Sequence, residues 1–170
     1  MKVPKPSFSA FLKAFTVQEL PVTLTEESIS DFERLSDPLA QVLINAFIEP
    51  EADEPDAFTE FVPCFKLPDT RDFHAVVYWK GELMKYQYFL TTFDKSGNQI
   101  SNAVIGGIQS DGKVVVRSVA TIDENLIIHV VEGEQPATEA RYVPDQSRAY
   151  QMEIKKSGEV EFLEGVMPSE

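Results

Sequence analysis

The sequence has 170 residues, of which 43% are hydrophobic and 11% aromatic, a composition that excludes an intrinsically disordered chain and suits one domain with a sizeable core. Its formal net charge of −13 repels nucleic acid backbones and anionic membrane surfaces, so we expect neither as a partner. Because only one cysteine is present, no disulfide can form within the chain.

The first residues lack the pattern of a targeting signal. A signal peptide needs about 7–15 continuous apolar residues, whereas Pro4, Pro6 and Lys13 interrupt the stretch MKVPKPSFSAFLKAF. No run reaches the ~18 apolar residues that a membrane span requires. The sequence therefore predicts a soluble, cytoplasmic protein.

Residues 1–57 are predicted to be helical, and they are acidic, with 11 Asp and Glu against 4 Lys and Arg. Ser7 or Ser9 can cap a first helix, and Thr23 with Glu26 has the spacing of a capping box for a second. Pro38 suits the first turn of a third. The helical spacing of apolar residues predicts buried stripes comprising Phe8, Phe11, Leu12, Phe15, Ile29, Phe32, Leu35, Leu39, Val42, Leu43, Ala46 and Phe47.

From residue 58 onward the hydrophobic period changes to two, and β-branched and aromatic residues dominate. Polar turn clusters at 80–82, 94–98, 110–113 and 123–125 separate the strands, so consecutive strands must pair antiparallel. The prediction is one α+β, mainly β, domain over residues 1–170. In it, the N-terminal helices (1–57) pack on an antiparallel β-meander (58–170) of about seven or eight strands, a curled sheet or a barrel.

Two of the predicted strands carry a further expectation. Gly106 and Gly107 inside one strand indicate a bulge or a sharp bend. The stretch LIIHVV at 126–131 is apolar on both faces, so we expect it to be covered on both sides.

The stretch DKSGNQIS at 94–101 admits two interpretations, a calcium-binding loop and a hairpin turn. A calcium loop that begins at Asp94 needs glycine at its sixth position and a bidentate glutamate at its twelfth. Those positions hold Gln99 and Ile105, whereas Gly97 lies where a short hairpin loop needs a positive φ. The sequence therefore predicts a hairpin turn here, and we expect no metal site and no cofactor.

The most distinctive local feature is an acidic run that comprises Glu49, Glu51, Asp53, Glu54 and Asp56. Five carboxylates so close together can dock on a basic protein surface, as inhibitors of nucleases do when they mimic phosphate charge. A solvated linker explains the run as well, because like charges repel one another and Pro50 and Pro55 cannot lie inside a helix.

Four aromatic residues, Tyr78, Trp79, Tyr86 and Tyr88, flank one predicted hairpin. Tyrosine and tryptophan suit interfaces and ligand pockets, because one end is apolar and the other forms hydrogen bonds. They are equally common in the core of a sheet. If the sheet closes into a barrel, its interior has room for one small apolar ligand.

Three further side chains are of types that can act in catalysis or metal binding, but no known motif surrounds them. We expect His74 and His129 to be hydrogen-bonded residues of the core or its rim, and Cys64 to be a small buried hydrophobic residue. The sequence thus favours a non-enzymatic, acidic interaction protein, of the immunity or inhibitor type, for a basic partner. A small-ligand binder that uses the four aromatic residues is the alternative, and an enzyme with a histidine base is the third hypothesis.

Overall fold

The computed structural model describes residues 6–49, 59–68, 70–136 and 147–163. The helical elements are α1 (Phe8–Lys13), α2 (Ser28–Leu35) and α3 (Gln41–Leu43), which continues as a π-helical turn (Ile44–Ile48). The strands are β1 (Val22–Leu24), β2 (Glu60–Lys66), β3 (His74–Glu82), β4 (Lys85–Phe93), β5 (Gln99–Ser110), β6 (Val114–Ile122), β7 (Ile127–Pro136), β8 (Ser147–Ile154) and β9 (Val160–Phe162). No helix within the described ranges is both long and apolar enough to cross a membrane.

Strands β2 to β9 form one antiparallel sheet in which each strand pairs with the next along the chain. Strand β1 joins this sheet at β6, where Val22–Leu24 lie opposite Ala120–Ile122. The sheet is curled and does not close, and the described residues include nine strands. The predicted fold class, α+β and mainly β, is confirmed, with 51% of the described residues in strands and 16% in helices.

Strands β2 to β4 are buried on both faces, because two hydrophobic clusters lie on opposite sides of them. Val76 and Tyr78 of β3 pack with α1 and the π-helical turn. Their neighbours Val77 and Trp79 face the other way and pack with β6, β7 and β8. The alternation follows from the two-residue period of a strand.

Helix α1 is positioned mainly by its aromatic side chains. Ser7 caps it as predicted, since its Oγ accepts a hydrogen bond from the backbone N–H of Ala10 at 3.1 Å. Phe11 and Phe15, on the predicted stripe, are buried. A helix of six residues is unstable in isolation, so packing on the sheet must provide its stability.

The second and third helices begin later than predicted. Thr23 lies in β1, where its hydroxyl is 2.9 Å from that of Thr121, so the predicted capping box is wrong. The third helix begins at Gln41 rather than at Pro38. Leu35 is the last residue of α2 and Val42 lies in the three-residue α3, so no single helix presents both on one face. They are 78% and 46% exposed, although both were predicted to be buried.

The turn predicted at 80–82 lies instead at Leu83–Met84, whereas the turns at 94–98, 110–113 and 123–125 are confirmed. Gly81 is part of β3, and a Cβ atom added to it would lie 2.5 Å from Cη2 of Trp79. This glycine therefore makes room for the indole ring and does not form a turn. In the confirmed turn at Asp94, the carboxylate accepts hydrogen bonds from the backbone N–H groups of Ser96 and Asn98.

The bend predicted at Gly106–Gly107 is also confirmed. Tyr88 pairs with Gly106 and Phe89 with Val104, which leaves Ile105 as a bulge. Gly107 has a φ of 125°. Strand β5 pairs with β6 only over residues 107–110, and β1 takes the position beside the far end of β6.

The prediction that LIIHVV is covered on both faces is wrong. Ile128 and Val130 face the core, but Val131 on the opposite face is 53% exposed. The cause is the position of the helical layer, because α1 and the π-helical turn pack on the opposite end of the sheet, against β2 to β4.

Candidate functional site

An open cleft with a volume of about 870 Å³ lies where β6 turns into β7. Four described parts of the chain line it: residues 19–20, the described residues of 68–73, the turn at 124–126, and residues 153–156 at the end of β8. The buried residues Phe73 and Ile154 are among its apolar lining. Ligand sites commonly have volumes of about 300–1,000 Å³, so we take this cleft as the candidate site.

The turn on one side of the cleft is organised by Asp123. Its Oδ1 accepts hydrogen bonds from the backbone N–H groups of Asn125 at 2.8 Å and Ile127 at 3.0 Å. The carbonyl oxygen of Leu126 accepts a hydrogen bond from the N–H of Ile154 at 3.0 Å, which ties the turn to β8. Leu126 has a φ of 64°, and Arg71, another lining residue, has a φ of 62°. Left-handed conformations of such residues cost about 1–2 kcal/mol each and recur at functional sites.

The charged side chains that line the cleft differ in whether they form an ion pair. Its four carboxylates are those of Glu19, Asp72, Glu124 and Glu153, and its three cations are Arg71, Lys155 and Lys156. Nζ of Lys155 lies 2.6 Å from Oε2 of Glu161, and this hydrogen bond raises the pKa of Lys155. Within the described part of the chain none of the four carboxylates forms an ion pair. The carboxylates of the lining thus outnumber its cations by four to three.

His129 lies next to this turn, on the outer face of β7, and both of its ring nitrogens have partners. Nε2 is 2.8 Å from Oδ2 of Asp123, and Nδ1 is 2.9 Å from Nε2 of Gln151. An amide nitrogen only donates, so Nδ1 accepts and the neutral ring carries its proton on Nε2, toward Asp123. The arrangement is that of a hydrogen-bonded rim histidine and leaves neither ring nitrogen open to a substrate.

We expect Asp123 to make folding stability depend on pH. Desolvation raises its pKa, but hydrogen bonds from His129, Ile127 and Asn125 outweigh this effect, so the pKa of Asp123 lies below its ordinary value. A carboxyl group whose pKa is lower in the folded state stabilises the fold above its unfolded pKa of about 4, and this contribution is lost as the pH falls through the folded pKa. Asp123→Asn should therefore reduce the free energy of unfolding at pH 6 and flatten its decline in acid, as measured by urea unfolding from about pH 6 to pH 2.5.

The matched control for this experiment is Asn125→Ala, which alters the same turn but keeps the carboxylate. It should retain the slope of the unmodified chain. Identical slopes for Asp123→Asn and the unmodified chain would show that this carboxylate does not contribute to acid sensitivity.

The predicted acidic site is described only at its first residue, Glu49. Glu51, Asp53, Glu54 and Asp56 lie outside the described residues. Oε1 of Glu49 is 2.5 Å from Nζ of Lys80, which is also 3.4 Å from Oε1 of Glu82. Partial burial disfavours the charged form of Lys80, but the hydrogen bond and charge of Glu49, with a contribution from Glu82, outweigh burial and raise the pKa of Lys80. The first residue of the acidic run is thus held to β3 by an ion pair.

The structure does not bring the four predicted aromatic residues together. Tyr78 belongs to the cluster under α1 and stacks on Phe89, with ring centroids 5.3 Å apart. Tyr88 lies in the opposite cluster, where its hydroxyl donates a hydrogen bond to the carbonyl oxygen of Thr25 at 2.9 Å. Trp79 is in that second cluster and stacks on the exposed ring of Tyr86. Their role in ligand binding stays a prediction.

His74 and Cys64 also lie apart from the cleft. His74 packs edge-on against Phe8, with ring centroids 5.6 Å apart. Cys64 is buried, and desolvation raises the pKa of its thiol, which disfavours the nucleophilic thiolate. Among the residues that the structure describes, no three His, Cys, Asp or Glu side chains are grouped so that they could hold a metal ion.

Sequence reasoning missed the cleft and one polar cluster on β6, β7 and β8. In this cluster, Nε and Nη2 of Arg148 lie 2.9 and 2.6 Å from Oε1 of Glu132. The hydroxyl of Ser118 is 3.4 Å from the other carboxylate oxygen. The three residues are direct cross-strand partners, so the exact register would have revealed them, but the sequence does not specify it. The cleft has no local signal, because four distant segments form it.

No protein-family model, curated protein or solved structure matches the chain. The chain's own residues are therefore the basis for any functional assignment.

Proposed function

We propose that this chain is a non-enzymatic, acidic interaction protein, of the inhibitor or immunity type, and that its partner is a basic protein. The observation that carries the proposal is the pairing of lysine and arginine side chains with carboxylates of the same chain. Five arginine and lysine side chains form ion pairs in which both partners are described residues: Arg34, Lys80, Arg117, Arg148 and Lys155. The net charge of −13 is the excess of carboxylates over cations that remains in the rest of the chain.

Such a charge distribution favours one kind of partner. A negative surface attracts a cationic one over several ångströms and increases the association rate, and this effect weakens as salt screens the charges. The carboxylates around the cleft lie at the end of the sheet, on chain segments that include exposed residues such as Asp72 and Glu124. They are accessible to a partner without any change in the fold.

The test is a pull-down from native lysate with the tagged chain, repeated at low and high salt. We expect one stoichiometric partner with a basic composition that elutes as salt increases. Absence of a partner under both conditions would overturn the proposal.

Once the partner is identified, the contribution of the acidic run to the association rate can be measured. Replacing Glu51, Asp53 and Glu54 together by alanine should slow association at low salt by about tenfold. A control variant with the same charge change replaces Glu33, Asp37 and Glu159, which are exposed residues elsewhere. If the two triple variants bind alike, the run is a linker and the surface acts through its total charge.

Small-ligand binding beside the predicted aromatic residues is the alternative proposal, and the stacking of Trp79 on the exposed ring of Tyr86 is the observation that favours it. A pocket beside the aromatic residues would alter the environment of Trp79, the only tryptophan. Tryptophan fluorescence that stays constant across a panel of metabolites and lipids would count against such a pocket.

A further inference from the structure

We propose that a groove at the end of the β3–β4 hairpin is an interface at which two copies of this chain meet across a two-fold axis. This tip groove has a volume of about 480 Å³ and lies between the β3–β4 turn and the β5–β6 turn. Its apolar lining comprises Leu83, Met84, Val114 and Val116. Self-association through the tip groove is independent of the acidic surface and of the basic partner proposed above.

The β3–β4 turn carries apolar residues where polar ones are usual. Glu82 pairs with Lys85, so Leu83 and Met84 form a two-residue loop. Such loops favour glycine, asparagine and aspartate, and the φ of 63° at Met84 is strained for a residue with a side chain. Leu83 is nevertheless 84% exposed, and Met84 is exposed as well. The two side chains thus neither favour the turn nor lie in a core, which points to a contact outside the chain.

Leu83 and the remainder of the tip groove are complementary parts of one patch. Leu83 projects from the turn, whereas Met84, Val114 and Val116 line the hollow beside it. A two-fold axis brings the same patch of both copies together, so that each copy can place its Leu83 in the groove of the other. Burial of one exposed leucine from each copy then stabilises the pair.

Both turns are held in place before a second copy arrives. The N–H of Ser110 donates a hydrogen bond to the carbonyl oxygen of Met84 at 2.8 Å, which ties the two turns together. In the β5–β6 turn, Oδ1 of Asp111 accepts hydrogen bonds from the N–H groups of Lys113 and Val114, each at 2.8 Å. Little ordering is therefore required on association.

The charges at the tip groove favour a second copy over a basic protein. Four charged side chains of the lining or the adjoining turn form no ion pair within the described ranges: Lys85, Lys113, Asp111 and Glu134. Glu82, at the base of the β3–β4 turn, is paired with Lys80. The signs of the four cancel, whereas the whole chain has a net charge of −13. A basic partner is therefore not attracted to this place, while two copies, which repel each other elsewhere, can meet here.

The same charges are complementary across the two-fold axis. Asp111 already accepts two backbone N–H groups, which leaves Glu134 as the freer carboxylate of the lining. We therefore expect Lys85 of each copy to pair with Glu134 of the other.

The experiment is sedimentation equilibrium of the whole chain. Concentrations run from about 10 μM to about 1 mM in about 0.15 M salt, at which charges more than about 8 Å apart are largely screened. We expect a reversible equilibrium between monomer and dimer. A monomer at every concentration would overturn the proposal, and so would assemblies larger than a dimer, because a two-fold contact closes at two copies.

A pair of leucine variants locates the interface. Leu83→Asn should weaken the dimer by about tenfold or more. Leu35→Asn makes the same chemical change at a leucine that is 78% exposed at the end of α2, and it should leave the dimer unchanged. If Leu83→Asn dimerises as tightly as the unmodified chain, another surface forms the dimer and the proposal is wrong.

Exchange of the two charges tests the two-fold arrangement. Lys85→Glu and Glu134→Lys should each weaken the dimer, because like charges then face each other twice. An equimolar mixture of the two variants should dimerise as tightly as the unmodified chain, because the mixed dimer restores both pairs. A mixture that stays as weak as its components would overturn the proposal.

Discussion

Replacing Gly107 by alanine is expected to remove a large part of the free energy of unfolding. Gly107 has a φ of 125°, and an added Cβ atom would lie 2.2 Å from the carbonyl oxygen of Tyr86 and 2.7 Å from Cα of Gln87. Both contacts are with the backbone of β4, which cannot withdraw without breaking its pairing with β5. Backbone strain and overpacking cost about 1–3 kcal/mol each, so we expect a loss of about 3–5 kcal/mol from a total of about 5–15 kcal/mol.

Gly112 provides the matched control for this substitution. Its φ is 94°, so alanine is again strained there, but among the described residues no atom beyond its two chain neighbours lies within 4 Å of the added Cβ. Gly112→Ala should cost only about 1 kcal/mol. Urea unfolding followed by circular dichroism measures both variants, and equal stabilities would show that the bend of β5 does not depend on the missing side chain of Gly107.

Phe11→Ala should have the second largest effect, a loss of about 3–5 kcal/mol in the free energy of unfolding. Phe11 is fully buried, and its ring centroid lies 5.1 Å from that of Phe15, 5.0 Å from that of Phe47 and 5.4 Å from that of Phe93. Truncation removes these contacts and leaves a cavity between α1 and the sheet. Because α1 is too short to persist alone, we also expect faster proteolytic cleavage near the N-terminus.

The control is Phe162→Ala, the same chemical change at a side chain that is 72% exposed. Its only described ring contact is with Tyr150, at 5.6 Å between centroids. We expect a cost of about 0.5 kcal/mol or less. If Phe11→Ala unfolds at the same urea concentration as Phe162→Ala, the cluster under α1 does not stabilise the fold.

The fold class could be read from local patterns. The change of hydrophobic period near residue 58 separated helices from strands, because strand residues alternate between two faces and helical residues do not. Gly97 predicted a turn through its own chemistry, a backbone free to adopt positive φ. Gly106 and Gly107 predicted the bend for the same local reason.

Predictions failed where a distant part of the chain competes for the same residue. Thr23 has the spacing of a helix cap, but pairing with β6 places it in a strand. Gly81 resembles a turn residue, but it accommodates the ring of Trp79. Val131 lies in a stretch of apolar residues typical of a core, yet it is exposed because the helices pack on β2 to β4.

For the candidate site, too, one property follows from the sequence and another depends on the fold. An acidic surface and its preference for a basic partner follow from composition, since net charge does not depend on the fold. The location of the carboxylates around a cleft does depend on it, because Glu19, Asp72, Glu124 and Glu153 lie far apart in the sequence and meet only through the curl of the sheet.

By itself, then, the sequence determined the mainly β class, most of the hairpin turns, the bend at Gly106–Gly107 and the sign of the surface charge. Each depends on a residue and its near neighbours, or on a sum over residues. Only the tertiary structure decided which faces are covered, which cations are neutralised and where the cleft lies. Those properties depend on strand register and on the packing of segments tens of residues apart, and a pattern of hydrophobic and polar residues does not specify either.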